Sequence, residues 1–166
     1  AAVNIKTNTF NNFLDASGGS SSITADATAM LGGTRLHAFG EGAFSISNVG
    51  TNVTIDADGV GDESALQGTL SVSTDVNATG VVVETGTADT TVAGDGGSYT
   101  VDALELLNDN TLTLNGSSAA TVSDLIADVN ASSGSGTLNI TTRNNTVDDD
   151  ITIATSSAAT TINADH

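Results

Sequence analysis

The chain has 166 residues, enough for one domain or two small ones, and it carries 20 acidic residues against three basic ones, Lys6, Arg35 and Arg143. The formal net charge of −17 excludes binding to nucleic acid or to an anionic membrane surface through charge. The sequence contains no cysteine, which excludes disulfides, thiolate catalysis and cysteine-ligated zinc. No stretch approaches the roughly 18 apolar residues of a membrane span, so we expect no membrane insertion.

The first 17 residues differ in composition from the rest of the chain. Four large apolar residues, Ile5, Phe10, Phe13 and Leu14, are spaced among four asparagines. The open end of a stacked β structure must be covered. We therefore predict that residues 1–17 form an N-terminal cap or a segment that docks on a neighbouring molecule.

From residue 44 onwards the sequence predicts short strands of one recurring type. β-Branched or aliphatic residues alternate with Thr, Ser or Asn, and Gly, Asp or Asn closes each run, which is typical of a half-buried strand followed by a turn. Residues 102–107 and 123–128 are too short for stable helices, so we predict irregular or strand-like structure there. The predicted strands are Phe44–Ser47, Asn52–Asp56, Thr69–Ser73, Val81–Glu84, Thr90–Ala93, Tyr99–Asp102, Thr111–Asn115, Ala120–Ser123, Thr137–Thr141, Ile151–Ala154 and Thr160–Asn163.

The chain also contains an internal repeat. Residues 81–95 match residues 151–165 with five identities in 15 positions, and three further positions exchange Val for Ile. Self-similarity at a fixed period is the signature of an array. We therefore predict two tandem repeats, residues 18–95 and residues 96–166, built on one continuous body.

Even strand spacing, turns of Gly and Asp, and a shortage of aromatic residues favour a parallel β-solenoid, in which each coil stacks on the previous one. A repeat of about 70 residues would hold roughly three coils of 20 to 25 residues. Aligned residues should then occupy equivalent core sites in equivalent coils, as for Val83 with Ile153 and for Leu70 with Leu138. The alternative is an antiparallel, pilin-like β-sandwich, which usually needs larger apolar residues at its centre.

Two clusters of carboxylates are candidate cation sites. Neighbouring carboxylates repel one another unless a cation is present, and Ca²⁺ takes six to eight oxygen ligands of this kind. The cluster that begins at Asp56 resembles part of a calcium loop but lacks the closing bidentate Glu. The alternative for both clusters is a solvated acidic turn. The predicted calcium ligands are Asp148, Asp149 and Asp150 in one cluster and Asp56, Asp58 and Asp62 in the other.

Candidate catalytic residues are few. His37 is the only internal histidine and lies close to Arg35, but Ser and Asp are too abundant to identify a triad around it, so we interpret it as a half-buried strand residue. Arg143 and the cluster at Asp148 form the one place where groups used by solenoid polysaccharide lyases converge in the sequence, although an acidic turn is the commoner explanation. We therefore predict no enzymatic activity.

The run Leu112–Thr141, rich in Thr, Gly, Ala and Asp, resembles the repeats of large secreted bacterial proteins, including surface-layer proteins and repeats-in-toxin adhesins. The resemblance is compositional and covers residues 43–165. The calcium nonapeptide of the repeats-in-toxin family, Gly-Gly-x-Gly-x-Asp followed by an aliphatic residue, does not occur in this chain. The resemblance therefore implies a secreted solenoid more than a stack of regular calcium turns.

The repeat and the resemblance together predict an extracellular or cell-surface structural module of a bacterial or archaeal surface layer, fibre or adhesin. We expect it to self-associate end to end into an oligomer or polymer, and a surface polysaccharide is a further candidate partner. The alternatives are a carbohydrate-binding or carbohydrate-cleaving solenoid and a pilin-like subunit that polymerises by donor-strand exchange. Any export signal is expected to have been removed or to lie elsewhere in a longer precursor.

Overall fold

The computed structural model describes residues 2–4, 11–17, 21–59, 64–143 and 150–164, which form a parallel β-solenoid of about seven turns. Sixteen strands in the described part of the chain alternate between two eight-stranded sheets. Every pairing between these strands is parallel, which confirms the predicted solenoid and excludes the antiparallel sandwich. Sheet 1 contains β1 (Ala2–Asn4), β3 (Ser22–Asp26), β5 (Ala43–Val49), β7 (Leu70–Thr74), β9 (Thr90–Gly94), β11 (Thr111–Gly116), β13 (Asp128–Asn130) and β15 (Ile153–Ala154). Sheet 2 contains β2 (Asn11–Ala16), β4 (Arg35–Gly40), β6 (Thr54–Asp56), β8 (Val81–Glu84), β10 (Ser98–Asp102), β12 (Ala119–Leu125), β14 (Leu138–Thr142) and β16 (Thr160–Asn163).

The core lies between the two sheets and follows from the alternation within each strand. Successive side chains of a strand point to opposite faces, so every second residue points inward and stacks on its partner in the next coil. Burying each Val, Leu or Ile side chain contributes about 1.5–3 kcal/mol to folding. One fully buried ladder in sheet 2 consists of Leu36, Ile55, Val83, Val101, Val122 and Ile140.

The observed strands extend the predicted set. All eleven predicted strands overlap observed ones, and β8 and β16 have the predicted bounds. The strands without a prediction are β1 to β4 and β13. Residues 102–107 and 123–128 form no helix, as predicted.

The N-terminal residues contribute strands to the solenoid. β1 pairs with β3 and β2 pairs with β4, so these two strands form the first coil of the array. A role of residues 1–17 in covering an end or docking on a neighbour stays a prediction.

The two repeats are offset by seven strands, an odd number, so matching strands lie in opposite sheets. Leu70 lies in β7 of sheet 1 and Leu138 in β14 of sheet 2, while Val83 and Ile153 are likewise divided between the sheets. The expectation of equivalent sites in equivalent coils was therefore wrong, because seven strands make three and a half coils. Both members of each pair still face the core. The domain bounds at 18–95 and 96–166 stay a prediction.

Local structure nevertheless repeats with the sequence. Asn48 in β5 and Asp124 in β12 both have a positive φ, 57° and 56°, and both lie where the pairing register with the next coil shifts. Asn and Asp tolerate this left-handed conformation better than most residues. The same irregularity thus occurs at matching positions of the two repeats.

A second recurrent feature is a turn in which Asp or Asn is followed by Ala. The alanine is buried, and its carbonyl accepts a hydrogen bond from a backbone N–H further along, which closes the turn. We call these turns the Asx-Ala corners. Their first two residues are Asp26-Ala27, Asp56-Ala57, Asp102-Ala103 and Asn130-Ala131.

Candidate cation site

The candidate site lies on the outer face of sheet 2. Phe13, His37, Asp56 and Glu84 occupy outward positions that are in register on four neighbouring strands. Although these positions face away from the core, Asp56 is only 1% exposed and His37 only 5%. Neighbouring side chains therefore shield both residues from solvent. We call the following residues together the Asp56 site: Arg35, His37, Asp56, Asp58 and Glu84.

Arg35 supplies the positive charge of the site. Its Nη1 donates hydrogen bonds to Asp56 Oδ2 and Glu84 Oε2, and its Nη2 donates to Glu84 Oε1 at 3.1 Å. Burial by itself would lower the pKa of Arg35, but the hydrogen bond to Asp56 and the negative charge of Glu84 outweigh that effect and raise it. Burial also raises the pKa of Glu84 despite the attraction of Arg35. The guanidinium thus links β4 to β6 and to β8.

His37 supports Asp56 from the β4 side. Its Nδ1 lies 2.9 Å from Asp56 Oδ2, and its ring stacks on Phe13 with the ring centroids 4.5 Å apart and the planes 10° from parallel. His37 lies in a strand, as predicted, but it is buried rather than half-buried. The stacked Phe13 ring helps to explain the burial, since it covers an outward position that would otherwise face solvent.

Asp56 and Asp58 form a close pair of carboxylates. Burial raises the pKa of Asp58 to about 7, and a hydrogen bond to Asp56, which forms when Asp58 is protonated, and the charge of Asp56 add to this effect. Oδ1 of Asp56 and Oδ1 of Asp58 are both buried without a hydrogen-bond donor among the described residues. One oxygen from each of Asp56, Asp58 and Glu84 lies within 4.8 Å of the others, so this group could hold a metal ion.

The structure brings together part of one predicted cluster. Asp56 and Asp58 share a site as the sequence suggested, whereas Asp62 lies outside the described residues. In the other cluster, Asp148 and Asp149 also lie outside the described residues, and Asp150 is exposed. A cation at Asp148–Asp150 stays a prediction.

Glu84 and Arg35 were not predicted as members of the site. Glu84 is 28 residues from Asp56 in the sequence and Arg35 is 21, because each belongs to a neighbouring coil. The available signal was the rarity of these residue types, since the chain has only two Arg and four Glu and both Arg35 and Glu84 lie on strands. Coil lengths vary too much along this chain for spacing to align them.

Comparison with known proteins provides no relative for this chain: no protein-family model, no curated protein and no solved structure matches it. Within the described residues there is no helix long and apolar enough to cross a membrane. The functional assignment therefore rests on the fold and on the Asp56 site.

Proposed function

We propose that this protein is an extracellular structural module of a surface layer, fibre or adhesin, which associates end to end by stacking its last coil on the first coil of another copy. The observation that carries the proposal is the exposed inner face of the last described coil, formed by β15 and β16. A solenoid coil buries its inward side chains against both neighbouring coils, so a terminal coil retains an uncovered apolar face and unpaired strand edges.

The exposure of Ile162 illustrates this uncovered face. Ile162 in β16 pairs in register with Ile140 in β14, and both occupy inward positions. Ile140 is fully buried, whereas Ile162 is 49% exposed. Coil stacking by a second copy would bury Ile162 as the internal coils bury Ile140. It would also give hydrogen-bonding partners to the edges of β15 and β16 that pair with no strand of the described residues.

The first coil offers a compatible surface. β1 and β2 pair in parallel with the strands that follow them, so their other edges can continue the same two sheets. Leu14 in β2 is an inward residue that is only partly buried against the core. Head-to-tail stacking joins two different surfaces, so it produces an open filament rather than a closed dimer.

The structural role is further supported by the burial of the charged residues. Asp56 is 1% exposed, which leaves it no surface on which a polysaccharide chain could be cleaved. Its contacts with Arg35 and His37 connect strands of neighbouring coils instead. These contacts favour a module that bears load or builds a lattice over one that turns over a substrate.

The experiment compares Ile162→Asp with Val76→Asp by sedimentation velocity over a range of protein concentrations. Val76 is a matched control because it is 63% exposed at the turn between β7 and β8, in the middle of the array of coils. The wild type should assemble as its concentration rises, and Ile162→Asp should weaken association at least about tenfold because it buries an unpaired charge. Val76→Asp should assemble like the wild type. A wild type that stays monomeric, or two variants that behave alike, contradicts end-to-end stacking.

We also propose that the module binds Ca²⁺. The chain has 17 more negative than positive charges, and its carboxylates are mostly Asp, the hard oxygen ligand that Ca²⁺ prefers. Binding of a cation to the folded state alone stabilises that state by mass action. The acidic group at Asp56, Asp58 and Glu84 supports the proposal with a specific place for one ion.

A further inference from the structure

We propose that Asp56, Asp58 and Glu84 bind one calcium ion, which fastens the chain at Asp58, just after β6, to the outer face of sheet 2. The inference deepens the proposed calcium dependence and rests on it, by naming the ligands and the part of the fold that the ion secures. Four observations support it: an orphaned buried oxygen, the charge of the site, its dimensions, and the neutral residues at the matching positions of the second repeat.

The orphaned oxygen belongs to Asp56. In the other three Asx-Ala corners, the Oδ1 atom of the Asp or Asn accepts a hydrogen bond from the backbone N–H two residues further on. The three bonds are Thr28 N to Asp26 at 3.0 Å, Leu104 N to Asp102 at 3.1 Å and Ser132 N to Asn130 at 3.2 Å. Oδ1 of Asp56 lacks this bond and has no other donor among the described residues, although Asp56 is 1% exposed. A buried carboxylate oxygen without a partner is costly, and a cation is the partner it lacks.

An insertion causes this difference. In the other three corners the closing hydrogen bond joins the alanine carbonyl to the N–H three residues on, as for Ala131 and Gly134 at 3.0 Å. In the Asp56 corner the same bond joins Ala57 to Leu66, nine residues on, at 2.9 Å. The residue at the usual donor position is here Asp58, whose side chain places a second carboxylate close to Asp56.

The charge of the site fits a divalent ion. Its three ionised carboxylates face the single positive charge of Arg35, which leaves a net charge of −2 when His37 is neutral. A divalent cation brings this charge to zero. Arg35 occupies Oδ2 of Asp56, so Oδ1 stays free to bind an ion.

The spacing of the three oxygens allows them to bind one calcium ion. Ca²⁺ binds oxygens at about 2.4 Å, so two ligand oxygens on opposite sides of one ion are about 4.8 Å apart. The three carboxylate oxygens lie within 4.8 Å of one another. Mg²⁺ requires oxygens at about 2.1 Å in octahedral geometry and gives up its water reluctantly. Calcium should therefore bind more tightly than magnesium.

The second repeat builds the same coil without these charges. Thr113 pairs with Asn130 and Asn130 with Ala154, as His37 pairs with Asp56 and Asp56 with Glu84. The matching turn after Ala131 has only two residues, Ser132 and Ser133, before its closing Gly134. The fold of the coil therefore does not require the carboxylates, which are a specific addition to the first repeat.

The test measures calcium binding by isothermal titration calorimetry at about pH 8, where the carboxylates are ionised. Asp58→Asn and Glu84→Gln each remove one ligand charge and should each weaken calcium binding at least about tenfold. Asp109→Asn is the matched control, because it removes the same charge from an exposed residue outside the site and should leave that binding unchanged. The wild type should bind magnesium more weakly than calcium.

A fourth variant tests the insertion itself. Replacing residues 58–65 with Ser-Ser copies the turn of the second repeat, so it should fold and yet lose the calcium site. Circular dichroism checks that each variant keeps its β structure. If Asp58→Asn, Glu84→Gln and the short-turn variant all bind calcium like the wild type, the assignment is wrong. If they do so while calcium still raises the melting temperature, the general calcium dependence survives and only this site fails; a wild type that binds no calcium contradicts both.

Discussion

At the residue scale, Asp58 is the side chain whose ionisation depends most directly on the environment that the fold creates. Its carboxylate lies beside that of Asp56, and burial together with the neighbouring negative charges raises its pKa from 3.8 to about 7. Protonation relieves the repulsion between the two carboxylates by giving them a shared hydrogen bond. A bound cation would relieve the same repulsion. Because chelator removes the cation, protonation of Asp58 is then what relieves it.

This arrangement predicts how stability varies with pH in chelator. A group whose pKa is higher in the folded state contributes stability at low pH, and that contribution is lost as the pH rises through the folded-state value. From about pH 5 to about pH 8 the melting temperature of the wild type should therefore fall more than that of Asp58→Asn, which cannot ionise at this position. Thermal unfolding of both proteins across this range measures the difference. Parallel curves for the two proteins would show that Asp58 does not titrate in this range.

At the scale of elements, glycines at matching turns of the two repeats allow coils to approach closely. Gly40 ends β4 and Gly116 ends β11, with positive φ angles of 105° and 89°. A Cβ atom on Gly116 would lie 2.0 Å from the carbonyl oxygen of Gly94 in the coil below. Backbone of that coil cannot move aside as the end of a side chain could.

Gly116→Ala should therefore destabilise the protein by about 2 kcal/mol or more, because it combines a strained φ with a backbone clash. Gly50→Ala is the control, since Gly50 has an ordinary φ and a Cβ there meets nothing within 4 Å. That substitution should change the free energy of unfolding by less than about 1 kcal/mol. Urea unfolding of the two variants measures both effects. Equal stabilities would mean that coil spacing at Gly116 can relax.

The elements also show how far sequence reasoning reaches. Strands made mostly of β-branched residues, such as β8 (three Val and a Glu) and β16 (two Thr, an Ile and an Asn), were predicted to the residue. β2 and β4 were missed because Phe13, Arg35 and His37 lie at outward positions, where the pattern leads one to expect Thr or Ser. These exceptions to the pattern are the residues that build the Asp56 site or cover it.

At the scale of the whole molecule, the parallel solenoid followed from composition and repeat, but the relation between the repeats did not. A repeat of about 70 residues can span either a whole number of coils or a whole number plus one half. The two sheets are similar enough that β7 in one and β14 in the other can share a sequence. The sequence could not distinguish these cases because the inward positions of both sheets are filled by the same Val, Leu and Ile.

The whole molecule also determines the largest expected effect of calcium. With a formal net charge of −17, the folded chain brings carboxylates closer together than the unfolded chain does, and this repulsion opposes folding. Calcium that binds only the folded state stabilises that state by mass action and should therefore raise the melting temperature. For one site, the free energy of unfolding increases by about 2.7 kcal/mol when the calcium concentration is 100 times the dissociation constant. Calorimetric melting in excess calcium and in chelator, at one ionic strength, measures the shift. Magnesium at the same concentration separates specific binding from screening, because screening depends on ionic strength and affects both ions alike. Equal melting temperatures in calcium, magnesium and chelator would mean that the carboxylates of this solenoid are tolerated without a bound ion.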